Sequence, residues 1–393
     1  MPPPDPPAPP PPDSYRYGER QVPDMAARQV RFGEGRGSAY LSCALGALSV
    51  LAVLCFRFPE YLTTPELRDV YDVDFLRTLL RVTMIAALVL GIVSFVRSRD
   101  RRSVAAVGLL FTGLAFVLGG YHVHGRAVKQ EVLFLGVDWF VLDLLGSALL
   151  FVFIEKLWPK YREQAVLRPE WALDLTYFAI NHFLIGVVML VVNGFAPRVF
   201  GWAVNDSVRH WVQSLPFAIE VLFLMLAADF VQYWVHRAFH EIPVLWPIHA
   251  VHHSTEHMDW LAGSRMHLVQ ELVDRSLVMV PLYLLGPSTG ALNAYVIIAA
   301  FQAVFVHANV GFRFGFLRYV FVTPQFHHWH HSKDKPAIDT NYSVHLSLWD
   351  KLFGTFHLPG DHWPKEYGTV HALPKSLGGQ FTYPFHRPSR RQH

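Results

Sequence analysis

Residues 229–240 read DFVQYWVHRAFH and close a hydrophobic run that begins at Trp211. His236 and His240 stand four residues apart where the run turns polar, and on an α-helix that interval puts both rings on one face. Asp229 and Tyr233 fall on the same stripe in the preceding turns, where they are expected to orient a ring by hydrogen bonding. An apolar helix of membrane length that delivers imidazoles to one end sets the frame for the remaining sequence.

Working outward, HAVHH at 249–253 supplies His249, His252 and His253, and HHWHH at 327–331 repeats the spacing with His327, His330 and His331 while His328 points elsewhere. Two HxxHH groups and one HxxxH give eight candidate ligands, enough nitrogen for two metal ions. Of the 22 histidines, twelve lie between His236 and His331, so the enrichment is local. Idle imidazoles at that density beside hydrocarbon would each need a hydrogen-bond partner or have to stay neutral. Cys43 and Cys55 both lie in the first apolar run, which leaves no disulfide framework and no thiolate site. Any metal must use nitrogen and oxygen.

The bulk composition agrees with a membrane setting. The 393 residues are 52% hydrophobic, with a mean hydropathy of +0.24, which is too apolar for a soluble domain of this size. A net charge of +3 spread over 34 basic and 31 acidic residues offers no concentrated basic face and excludes nucleic acid as a partner.

Six spans are expected, near Ala39–Phe56, Leu79–Val96, Ser103–Gly120, Val132–Trp158, Leu173–Asn193 and Trp211–Val235. A further apolar region, Ser276–Ala308, is interrupted at Pro281 and at Gly286–Gly290 and reads as a helical hairpin that enters and leaves one face. Residues 1–32 begin MPPPDPPAPPPPDS and read as an extended, disordered tail, not a signal peptide. Arg97, Arg99, Arg101 and Arg102, and later Lys156, Lys160, Arg162 and Arg168, mark their loops as cytoplasmic. Counting onward puts His236 and His307 on that same side. After Val310 turn signals multiply, so the last segment reads as a cytoplasmic helical cap on an all-α, polytopic membrane protein. The arginine-heavy, lysine-poor composition points to a bacterial inner membrane over the endoplasmic reticulum.

From Asp229 to Thr369 the chain resembles the fatty acid hydroxylase superfamily, which includes sterol desaturases and alkylglycerol monooxygenase. The likeness rests on DFVQYWVHRAFH, LWPIHAVHHS, FVHANVG, TPQFHHWHHSKD and NYSVHLSLWDKLFGTF, in that order. It implies that His236, His240, His249, His252, His253, His327, His330 and His331 form the catalytic set and hold two iron ions, with His307 of FVHANVG as a further ligand. It also implies dioxygen as co-substrate and a lipid, sterol or fatty-acyl substrate. Residues 131–393 would form the family's membrane and catalytic domain, preceded by extra spans over 33–130 that have no counterpart there.

A neutral all-nitrogen donor set leaves the metal charge uncompensated by protein and favours oxygen-derived anions. Hydroxylation and desaturation share such a site and differ in substrate placement. Glu256, Asp259, Glu271, Asp274, Asp334, Asp339 and Asp350 are available to hold imidazole N–H groups. Arg237 and Arg265 are placed either to meet a lipid headgroup or to pair within the cap. No flavin, haem or iron–sulfur fingerprint is present, so electrons are expected from a separate reductase or small carrier. Imidazole binds zinc as well as iron, but a zinc peptidase would carry HExxH, which is absent. An inactive relic would be expected to have lost at least one box.

Overall fold

The computed structural model describes residues 36–386 apart from 69, 98, 100, 101, 125–127 and 129–133; the expected tail over 1–32 lies outside the described residues. The chain divides into two compact units, Met1–Glu131 and Val132–His393.

In the first unit, α1 (Arg36–Arg57), α2 (Val73–Arg97) and α3 (Arg102–Val117) pack against one another. Their contact faces carry small residues, with Ser42, Ala87, Ala105 and Gly108 buried. A Cβ on Gly108 would come within 2.5 Å of Ser42 Oγ and 2.8 Å of Cys43 N, so only glycine allows that approach. Ser42 Oγ donates to the Ala87 carbonyl at 2.7 Å. Close backbone approach and hydrogen bonds between helices are what hold helices together in lipid, where the hydrophobic effect supplies no drive. The outward residues, among them Val82, Ile85 and Leu110, are exposed and apolar.

The second unit contains α4 (Val137–Leu157), α5 (Trp171–Phe200), the short amphipathic α6 (Asp206–Gln213), α7 (Phe217–Glu241), α8 (Trp246–His253), the hairpin α9 (Leu268–Leu285) and α10 (Thr289–Phe305), and the cap helices α11 (Pro324–His330), α12 (Leu348–Phe353) and α13 (Leu377–His386). An apolar core of Val221, Leu224, Met225, Ala228, Leu282, Ala291 and Tyr295 joins α7 to the hairpin. Glu220 of α7 accepts from both the backbone N–H and the hydroxyl of Ser288, the residue that caps α10.

No strand forms among the described residues. Isolated bridges pair Phe321 with Leu346 and Ser332 with Tyr367 within the cap. Beneath it Arg168 forms a two-point pair with Asp259, and Arg265 bonds Asp174 and Glu170. Arg265 is therefore committed to an internal ion pair.

Among the described residues four helices, α1, α2, α4 and α7, are long and apolar enough to cross a membrane, while α3 and α10 are shorter apolar helices. The expected runs are corrected in three places. The stretch from Trp211 is split, because Pro216 precedes α7 and leaves Trp211 on α6. The third run yields only 16 helical residues. Pro281 does not interrupt the hairpin arm: α9 continues through it to Leu285 and ends at Gly286, whose φ is +53°. The helix α9 is packed against α7 and α5, and such neighbours let a membrane helix tolerate the lost backbone bond.

Candidate metal centre

The last two turns of α7 present His236 and His240. The chain then reverses and enters α8 with Pro247 in its first turn, where the missing N–H has no partner to lose. Thr323 caps α11 by accepting from Phe326 N–H, with Pro324 next. His307 follows α10 by two residues.

All nine predicted ligands come together, in two groups. One holds His236, His240, His249, His253 and His330; the other holds His252, His307, His327 and His331; within each, the candidate ligand atoms lie within 4.8 Å of one another. Eight of the nine side chains are buried and His236 is half-buried. The sequence motifs do not map one to one onto these groups. On α8 the i,i+4 pair His249 and His253 faces the first group, while His252, about 60° from His249 and about 100° from His253 around the helix, faces the second. On α11 and the residue that ends it, His327 and His331 face the second and His330 the first. The His253 and His331 rings stack at 4.4 Å across the divide.

His328 stays outside, bonded to Tyr367 Oη at 3.0 Å and near the His307 carbonyl at 3.3 Å. It belongs to neither group, and the spacing expects it to point away from its neighbours.

The outer nitrogens explain why metal fits. His236 Nδ1 donates to Tyr342 O at 2.8 Å, His252 Nδ1 to Arg265 O at 3.2 Å, His307 Nδ1 to Ala303 O at 2.7 Å and His330 Nδ1 to Thr340 O at 2.8 Å. His249 Nδ1 faces Gln270 Oε1 at 2.9 Å and His240 Nδ1 faces Asp339 Oδ1 at 3.3 Å. A neutral ring that donates through Nδ1 carries a lone pair on Nε2. Yet His236 Nε2 and His249 Nε2 stand 3.0 Å apart, and His252 Nε2 and His307 Nε2 3.3 Å. His240 Nε2 and His330 Nε2 are buried with no partner. Lone pairs converging at such distances repel unless a cation sits among them, so the donor set suits a metal ion in each group.

Burial, followed by repulsion from neighbouring rings, holds His249, His252, His253, His327, His330 and His331 well below the ordinary imidazole range, and His307 is lowered to about 4. The rings are therefore neutral near pH 7, the form that binds metal.

Asp229 and Tyr233 do not touch an imidazole through hydrogen bonds. Asp229 accepts from the backbone N–H groups of Val344, His345 and Leu346, and the Tyr233 hydroxyl pairs with Thr355. Of the seven candidate carboxylates, Asp339 stands against a ring of the two groups, His240. Asp259 pairs with Arg168, Glu271 with Arg275, and Asp350 with the Tyr342 and Ser343 N–H groups. Arg237 pairs with Glu241. Gln270 escaped the sequence reading. Its signal was a glutamine and an aspartate four apart, Gln270 and Asp274, in the polar first turns of α9.

A family model described as fatty acid hydroxylase matches residues 221–355, which span every ligand position. An ornithine lipid hydroxylase of Rhizobium tropici is 30% identical over 257 residues, 65% of this chain and 78% of that protein. The alkylglycerol monooxygenase of Homo sapiens is 31% identical over 151 residues, 38% of this chain and 32% of that protein. A putative methylsterol monooxygenase of Dictyostelium discoideum is 24% identical over 240 residues, 59% of this chain and 82% of that protein. No solved structure matches.

Proposed function

The chain belongs to the fatty acid hydroxylase family, and on that footing we propose that it is a membrane-bound di-iron oxygenase that hydroxylates a C–H bond of a lipid. An oxidoreductase acting on lipid is the reading its relatives support. The observation that carries the finer assignment is the convergence of imidazole nitrogens in two buried groups of five and four rings, four of which donate through Nδ1 to a carbonyl and so turn a bare Nε2 inward.

His236, His240, His249, His253 and His330 would hold one iron, and His252, His307, His327 and His331 the other. When bound, the ions supply the capacity to activate dioxygen for attack on an unactivated C–H bond. The chain's own residues fix the rings: backbone carbonyls of Tyr342, Thr340, Arg265 and Ala303 hold four Nδ1–H groups outward so that Nε2 faces inward. Burial of the centre excludes water from the reacting carbon.

The substrate class is a lipid with an acyl, alkyl or sterol moiety. One relative is named for an ornithine lipid and another for an alkylglycerol. A separate reductase or small carrier would deliver the electrons. The basic loops favour a multi-pass protein of a bacterial inner membrane with the histidines on the cytoplasmic side.

The test is direct. His252→Ala or His330→Ala should abolish the hydroxylated lipid in cells while the variant remains in the membrane fraction, and purified wild-type protein should hold two irons. Full product from either variant, or a purified protein that takes up no iron, would count decisively against the assignment.

A further inference from the structure

The nine rings differ in what stands behind them. In the four-imidazole group, His252 and His307 donate to backbone carbonyls, and the Nδ1 atoms of His327 and His331 are buried without a partner. In the five-imidazole group, two rings meet side chains. Behind His240 stands Asp339, its Oδ1 at 3.3 Å from Nδ1. Behind His249 stands Gln270, whose Oε1 lies at 2.9 Å from Nδ1 and whose Nε2 donates to Asp274 Oδ2 at 3.1 Å.

The second contact fixes an orientation. An amide can present either oxygen or nitrogen to a ring; with its nitrogen committed to Asp274, Gln270 must offer oxygen to His249. That choice keeps the proton on Nδ1 and the lone pair on Nε2. Asp274 is half-buried, and its second oxygen is buried with no partner. At Asp339 the backbone adopts φ +57°, a left-handed conformation that a residue with a Cβ adopts only at a cost. Both positions therefore carry a local cost at a contact with a ligand ring.

We propose, resting on the di-iron reading, that the two metal positions are electronically inequivalent, with Asp339 and the Gln270–Asp274 pair acting as positioning residues that make the five-imidazole iron the more easily oxidised. A carboxylate or a polarised amide oxygen on Nδ1–H raises the electron density of its ring, which stabilises the higher charge on the metal. Uncharged backbone carbonyls do so less. The four-imidazole position, one donor poorer and with only backbone carbonyls behind His252 and His307, is left the more electron-poor. Gln270 and Asp274 reach the metal only through His249.

The test uses full-length protein purified in detergent and loaded with iron-57. The wild type should give two resolved Mössbauer doublets that oxidise at different potentials. Asp339→Asn keeps an oxygen toward His240 but removes its charge, and should make one iron harder to oxidise. Gln270→Glu places a carboxylate on His249 and should make that same iron easier to oxidise. Each shift is expected to be about tenfold in the oxidised-to-reduced ratio at a fixed potential, or about 59 mV for one electron. The other doublet should stay in place. A purely structural role would broaden both doublets or lose metal in both variants, without opposite signs.

If both variants hold two irons and the doublets shift together, or not at all, the inequivalence is overturned while the di-iron assignment stands. If the wild type binds no iron, both fall. Should Asp339→Asn fail to accumulate, the sign of the Gln270→Glu shift and its confinement to one doublet still decide the matter.

Discussion

At the scale of single residues, the centre depends on one glycine that no histidine motif announces. A Cβ placed on Gly263 would lie 2.7 Å from His307 Nδ1 and 3.0 Å from the Ala303 carbonyl, the two partners of the bond that orients His307. Gly263→Ala must therefore push the His307 ring off its acceptor. The four-imidazole group should lose affinity by about 10–100-fold, so that purified protein holds about one iron where the wild type holds two. Helix content by circular dichroism should be unchanged, and a full complement of iron in the variant would mean that His307 is not a ligand. His307 itself was legible, through FVHANVG, while Gly263 was not: its role depends on a close approach between segments more than 40 residues apart, which local sequence does not encode.

At the scale of elements, α7 does more than present His236 and His240. Its Asp229 accepts three N–H groups of the segment Val344–Leu346 at 2.8, 3.1 and 2.9 Å. The chain just before that segment lends its Tyr342 and Thr340 carbonyls to His236 and His330. Asp229 thus supports the five-imidazole group indirectly, by holding the loop that holds two of its rings. Asp229→Ala would strand three buried donors at about 1–3 kcal/mol each, and the loop should detach in response. The expected outcome is a lower melting temperature in detergent together with preferential loss of one of the two irons; unaltered melting would show that the loop is anchored elsewhere. Sequence periodicity placed Asp229 on the correct face of the correct helix, but its partners are backbone amides more than 100 residues downstream, and these leave no trace in side-chain pattern. The same limit explains the boxes. Helical spacing reads His249, His252 and His253 as one face, and His327, His330 and His331 likewise, yet His252 and His330 each turn to the group opposite their neighbours, a division that spacing within one helix leaves open.

At the scale of the whole molecule, the apolar helices and the histidine-rich cap were legible because both are properties of composition and period. The fold must then keep its imidazoles neutral in an enclosed centre, and this sets how it responds to acid. Outside the membrane-length helices, burial and mutual repulsion lower His249, His252, His253, His327, His330 and His331, and bring His307 to about 4. An unfolded histidine takes up a proton near pH 6.5. Below that value the unfolded chain binds protons that the folded chain refuses, so stability is fully present above about pH 6.5 and is lost as the pH falls toward the lowered values. Each such ring costs about 1.4 kcal/mol per pH unit in this window. Protein stripped of metal by a chelator should keep a level melting temperature from about pH 8 to 7 and lose it steeply between about pH 6.5 and 5. Protein loaded with metal should hold its melting temperature further into acid, because bound ions compete with protons for the same Nε2 atoms. The measurement is a pair of melting curves across that range, with and without metal. Coincident curves would mean that nothing occupies the space between the rings, and a level curve for the stripped protein would mean that the imidazoles are solvated.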